Sequence, residues 1–126
     1  MDHWIYIEEG HYPVESGFIF TPGNTAVTLD DGMLEVYSNK KEERRVRGQG
    51  MAVSALIVEL LEDYDDLDIL IDLGDGFHYI LKTPLIKSGK VFTPDVKSMV
   101  HFIAERPLEK LDDNAYERVR INLSLV

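Results

Sequence analysis

Apolar and polar positions alternate with period two along much of this chain, and turn-forming residues interrupt the alternation at short intervals. Trp4–Glu8 reads as a short strand rich in β-formers. A loop through His11, Tyr12 and Pro13 to Ser16 follows, then a strand over Gly17–Phe20 stopped by Pro22-Gly23-Asn24. Thr25–Leu29 and Met33–Tyr37 flank Asp30-Asp31-Gly32. An Asp-Gly pair supplies the positive φ angles of a tight type I′ turn, so these two runs are expected to form a hairpin. Leu29 would then face Leu34 and Val27 would face Val36 on one apolar side, with Thr28 and Glu35 on the other.

Ser38–Arg47 reads as a charged connection. Met51–Asp63 has few polar positions and a length normal for a helix, so a mostly buried helix opened by Gly50 is expected, with a central strand as its alternative. Leu67–Leu73 alternates as a strand, Gly74-Asp75-Gly76 turns the chain, and Phe77–Leu81 returns it. Pro84 limits the far end to an edge or bulge, and Ser88-Gly89 offers a turn before Val91-Phe92. Thr93, Pro94 and Asp95 have the signature of a helix start. Val96, Met99, Val100 and Ile103 recur at helical spacing up to Pro107, which predicts a second helix. After Asp112-Asp113-Asn114, the alternation of Glu117, Val119, Ile121, Leu123 and Leu125 predicts a final strand. The sum is a single α+β domain over residues 1–126. It is a two-layer fold of mainly antiparallel sheet with two helices on one face, approximately β-β-β-β-α-β-β-α-β.

Composition narrows the class. A length of 126 residues with 44% hydrophobic and 10% aromatic content is that of a globular domain able to bury roughly two thirds of its unfolded surface. The absence of cysteine excludes disulfides and thiolate metal sites. No basic n-region precedes an apolar stretch at the N-terminus, and the apolar run at Leu56-Ile57-Val58 is broken by Glu59. Neither a secretory signal nor a membrane span is therefore expected, and the cytoplasm of a bacterial or host cell is the expected location. A net charge of −10 disfavours direct contact with nucleic acid or an acidic membrane and favours basic partners.

Charge is unevenly placed. Glu59, Glu62, Asp63, Asp65, Asp66, Asp68, Asp72 and Asp75 fall in a window, Gly48 to Leu81, without lysine or arginine. Converging on one surface, they would form a docking field for a basic protein, such as a nuclease or another nucleic-acid-binding protein. The plainer reading is a solvated polar face. The run lacks the glycine and distal glutamate of a calcium loop, so no metal is expected. Lys40, Lys41, Arg44, Arg45 and Arg47 are five of thirteen basic residues within eight positions, diluted by Glu42 and Glu43 and followed by Gly48-Gln49-Gly50. With free N–H groups of Gly48 and Gly50 at a helix start they would hold a phosphate or nucleotide; otherwise they form a charged loop that keeps a sheet edge soluble.

The four histidines are scattered, and only His78 lies in a predicted strand, where a hydrogen-bonded structural role is expected. No zinc-binding pair, no Gly-x-Ser-x-Gly frame and no catalytic residue or cofactor site emerges. Trp4, Tyr6, Tyr12, Phe18 and Phe20 form core or a sticky patch. The expectation is a non-enzymatic, acidic, protein-binding inhibitor of the toxin-immunity or viral anti-defence kind. The alternatives are a phosphate- or nucleotide-binding module using the basic loop and a phage structural or assembly protein, and homo-oligomers are compatible with all three.

Overall fold

The computed structural model describes residues 7–89 and 96–126. Among them the order is β1 (Gly10–Pro13), β2 (Ser16–Phe20), β3 (Thr25–Ser38), β4 (Arg44–Val53), α1 (Ser54–Asp63), β5 (Asp68–Asp72), β6 (His78–Leu81), β7 (Leu85–Ser88), β8 (Lys97–Ile103), β9 (Glu109–Leu111), α2 (Asp113–Ile121) and β10 (Ser124–Leu125). The chain is an α+β domain of mainly antiparallel sheet with two helices, the sheet curled into a half-barrel. Among the described residues only the β10–β3 pairing is parallel.

The long strand β3 organises everything else. Its first part pairs with β2 and β10, its second with β1 and β4. The two halves are called here sheet I (β10-β3-β2-β5-β6-β9) and sheet II (β1-β3-β4-β8-β7). Between them, Asp30 pairs with Met51 and Met33 with Gln49, so β3 carries one extra residue. That is a β-bulge, and a bulge is how a strand turns a corner from one sheet to the next. Asp31 has φ +51° there. A Cβ on Gly32 would stand 2.9 Å from the Cβ of Val14, so only glycine lets β1 approach.

The expected hairpin at Asp31-Gly32 is therefore corrected. Asp31 alone takes a positive φ, Gly32 does not, and the pair bends one strand instead of joining two. The true hairpin joins β3 to β4 through Asn39–Glu43, inside the expected charged connection. There Asn39 Oδ1 accepts from the N–H groups of Lys41 at 2.9 Å and Glu43 at 3.0 Å, and Glu42 has φ +61°.

Pleating sorts the side chains into two cores. Ile19, Val27, Leu29, Ile69, Ile71 and Leu81 of sheet I face Leu34, Val36, Val46, Val100 and Phe102 of sheet II, and Ile57 and Leu60 of α1 plug the space between. The alternate residues Phe18, Phe20, Ala26, Leu70 and Ile80 point out of sheet I and are covered by Tyr116, Val119 and Leu123 of the α2 region. The helices thus lie on opposite faces of the sheet, not together on one. Among the described residues no helix is long and apolar enough to cross a membrane.

Other boundaries also move. Met51–Val53 completes β4, and the helix begins at Ser54. His11–Pro13 is strand, not loop. The expected second helix is a strand over Lys97–Ile103, with Ser98, Val100 and Phe102 inward and Met99, His101 and Ile103 outward. The capping residues Thr93, Pro94 and Asp95, the run Val91-Phe92, and residues 4–6 of the expected first strand lie outside the described residues. Phe102 fits because Gly48 opposes it: a Cβ there would stand 2.3 Å from the Phe102 ring. The expected final strand is largely helix α2. Asp112 caps it by accepting from the Ala115 N–H at 2.7 Å. Its i, i+3, i+7 face, Tyr116, Val119 and Leu123, packs on sheet I, whereas Ile121 is 69% exposed.

Candidate partner-binding groove

Helix α1 departs from the electrostatic rule that α2 follows. α2 begins with Asp113 in its first turn and ends with Arg118 and Arg120, matching the helix dipole. α1 has no basic residue in its last turn, which carries Glu62 and Asp63. Carboxylates at the negative end of a dipole cost about 0.3–1 kcal/mol each at low ionic strength. Ile57 and Leu60 face the core, leaving Glu59, Glu62 and Asp63 on the solvent side. The helix ends where Tyr64 turns extended, its N–H still donating to the Leu60 carbonyl at 3.0 Å. Asp65 and Asp66 continue the run in the open. Among the described residues none of these five carboxylates forms an ion pair.

Beside them lies a groove of about 250 Å³ between the α1 exit, the start of β5 and the β6–β7 connection. Leu61, Tyr64, Leu67, Pro84, Leu85 and Ile86 supply its apolar wall, and Asp65 and Glu105 stand on its rim. Tyr64 is 40% and Leu85 44% exposed. A mixed polar and apolar groove with an acidic rim suits a segment that carries both cationic and apolar side chains.

The expected single field of eight carboxylates is not formed. Asp68 and Asp72 share the pleat of Leu70, so they point to the α2 side of sheet I, away from α1. Asp68 accepts from Lys82 Nζ at 3.3 Å and from the Thr83 N–H at 2.9 Å. Asp72 accepts from the Gly74 N–H at 2.8 Å. Asp75 sits in the β5–β6 turn, beyond Asp72, which the strand itself carries roughly 13 Å from Asp68. Five of the eight remain together, and Glu105 joins them from β8's exit. Sequence spacing cannot place Glu105, but an aromatic between acids, Asp63-Tyr64-Asp65, was a readable signal of the groove.

The anion site expected around the basic loop is corrected. Its basis was a helix starting at Gly50, and Gly48 and Gly50 instead lie within β4, between β3 and β8. Lys40 and Lys41 are at the hairpin tip. Arg44 donates to the Ile7 carbonyl, Arg45 pairs with Glu43 at 3.0 Å, and Arg47 pairs with Glu35 at 2.5 Å while lying over the Tyr37 ring. The Arg47 hydrogen bond holds the Glu35 carboxyl below the usual carboxylate range, and the same bond raises Arg47.

One further cluster has residue types associated with catalysis. Ser16, Asp72 and His78 are neighbours across β2, β5 and β6. His78 Nδ1 faces Asp72 at 3.3 Å, Nε2 faces Asp113 at 3.0 Å, and the ring stacks on Tyr116 at 4.1 Å. Nε2 is hydrogen-bonded to Asp113, Nδ1 is buried near Asp72 without a hydrogen bond, and Ser16 Oγ is bonded to the Tyr116 hydroxyl at 3.2 Å. Among the described residues the serine's hydrogen bond is to the Tyr116 hydroxyl, not to His78. The cluster fastens α2 to sheet I. Among the described residues no group of three histidine or carboxylate side chains is placed to hold a metal ion. No protein-family model, curated protein or solved structure matches this chain.

Proposed function

We propose that this chain is a small acidic inhibitor, of the toxin-immunity or anti-defence kind, that acts by stoichiometric binding rather than turnover. Its groove at the α1 exit takes a cationic, partly apolar segment of a basic, nucleic-acid-binding target and occludes that surface. The observation that carries the reading is the uncompensated acidic end of α1 next to half-exposed Tyr64 and Leu85. A cationic partner relieves the dipole mismatch, the two apolar side chains supply the desolvated contact, and the remaining charges set rate and selectivity.

Isothermal titration of the full chain with a synthetic peptide of alternating arginine and leucine tests this. One peptide per chain is expected, with affinity falling as salt is raised. The triple variant Glu62→Lys, Asp65→Lys, Glu105→Lys should lose binding while keeping its thermal transition. Affinity unchanged by the triple reversal would overturn the assignment of the groove.

A further inference from the structure

We infer that the cationic segment of the partner binds as an added strand, extended along the free edge of β7, a mode of binding that rests on the proposed groove. β7 ends the strand order of sheet II, and among the described residues it pairs only with β8. One step beyond the Ser88–Val100 pair, the Gly89 N–H donates to the Met99 carbonyl at 3.4 Å. Hydrogen-bonded and non-hydrogen-bonded pairs alternate along an antiparallel ladder. Leu85 and Lys87 therefore turn their N–H and C=O groups toward β8, and Ile86 and Ser88 turn theirs away from it. Among the described residues neither Ile86 nor Ser88 makes a backbone hydrogen bond outside the sheet.

What lies beside the edge distinguishes it from the others in the sheet. Leu85 and Ile86 of β7 line one side of the groove, and Leu61 and Tyr64 of the α1 exit line the other. Strand addition needs this combination: main-chain bonds hold the segment, and alternate side chains read the flanking surfaces. The remaining edges offer less. β9 has three residues and β10 two, and β1 ends on Pro13, which has no N–H. Pro84 and exposed Lys87 blunt β7 against indiscriminate pairing, but they leave the main-chain groups of Ile86 and Ser88 in place. Charge selects the occupant. Asp65 and Glu105 stand on the groove's rim, next to Glu62 and Asp63 at the α1 exit. A second copy of this chain, with net charge −10, is repelled there, whereas a cationic segment is drawn in. The period of two in an extended strand sets one row of its side chains against Leu61 and Ile86 and the other toward the acidic rim.

Titration of the full chain with three forms of the alternating arginine-leucine peptide is the test. One form is unmodified, one is N-methylated at every arginine nitrogen, and one at every leucine nitrogen. In an extended strand all the arginine N–H groups face one side and all the leucine N–H groups the other. One methylated form should therefore bind about tenfold or more weakly, while the other binds like the unmodified peptide. Amide exchange at Ile86 and Ser88 should slow about tenfold or more when the unmodified peptide binds. Methylated forms that weaken equally, or that both bind like the unmodified peptide, would overturn strand addition. So would unchanged exchange at Ile86 and Ser88. In each of these cases the groove itself stands if the triple reversal Glu62→Lys, Asp65→Lys, Glu105→Lys still abolishes binding. An unmodified peptide that does not bind at all overturns both.

Discussion

The two outer faces of the half-barrel are built alike and finished differently. On sheet I the outward residues are Phe18, Phe20, Leu70 and Ile80, and α2 closes over them until they are as buried as the central core. On sheet II the outward residues are Met33, Met51, Met99 and Ile103, interleaved with Arg47, Gln49 and His101, and no described element lies over them. The same pleat that creates a second hydrophobic core on one side creates a mixed, open surface on the other. The lesson concerns stability as much as contact. Side chains under α2 hold the fold together, whereas those on sheet II are free to serve contacts outside the chain.

Paired substitutions break or sharpen that contrast. Phe20→Ala under α2 should destabilise the fold by about 3–5 kcal/mol, while Met99→Ala on sheet II should change it by no more than about 0.5 kcal/mol in dilute solution. Urea unfolding at low protein concentration compares the two, and equal losses would erase the distinction. Removing the cap of the covering helix is the next largest change. Asp112→Ala should cost about 1 kcal/mol, with hydrogen exchange accelerated first at Ala115 and Tyr116.

A smaller effect belongs to the open face. Arg47 lowers the folded-state pKa of Glu35 relative to the unfolded chain. The pair's contribution is therefore complete above the ordinary carboxylate pKa and disappears as pH falls through the depressed value. Arg47→Gln should move the Glu35 titration, followed by carboxyl-carbon NMR, upward and toward that of an unpaired glutamate.

The same contrast explains what could be read from the sequence. Strands over Gly17–Phe20, Leu67–Leu73 and Phe77–Leu81 were legible because they are surrounded, and the turn chemistry at Pro22-Gly23-Asn24 and Gly74-Asp75-Gly76 was unambiguous. The segment before Pro107 was misread because β8 has one open face. Met99 and Ile103 stand outside, so apolar residues occupy both sides and imitate a helical stripe. Near the C-terminus, exposed Ile121 and Leu125 completed a false alternation over what is helix α2. At Asp31-Gly32 only Asp31 takes the expected positive φ, and whether such a residue bends or reverses the chain depends on partners distant in sequence. The groove was half legible: the carboxylates were visible, while the pleat that turns Asp68 and Asp72 away and the fold that brings in Leu85 and Glu105 were not.

The central claim, that the α1 exit is the binding surface, is tested most directly by mapping backbone amide shifts of the full chain during titration with the arginine-leucine peptide. The account predicts the largest changes at Tyr64, Asp65, Leu85 and Glu105, with α2 and the Lys40–Lys41 hairpin tip unmoved. Changes centred on the hairpin tip or on α2, with the groove silent, would contradict it.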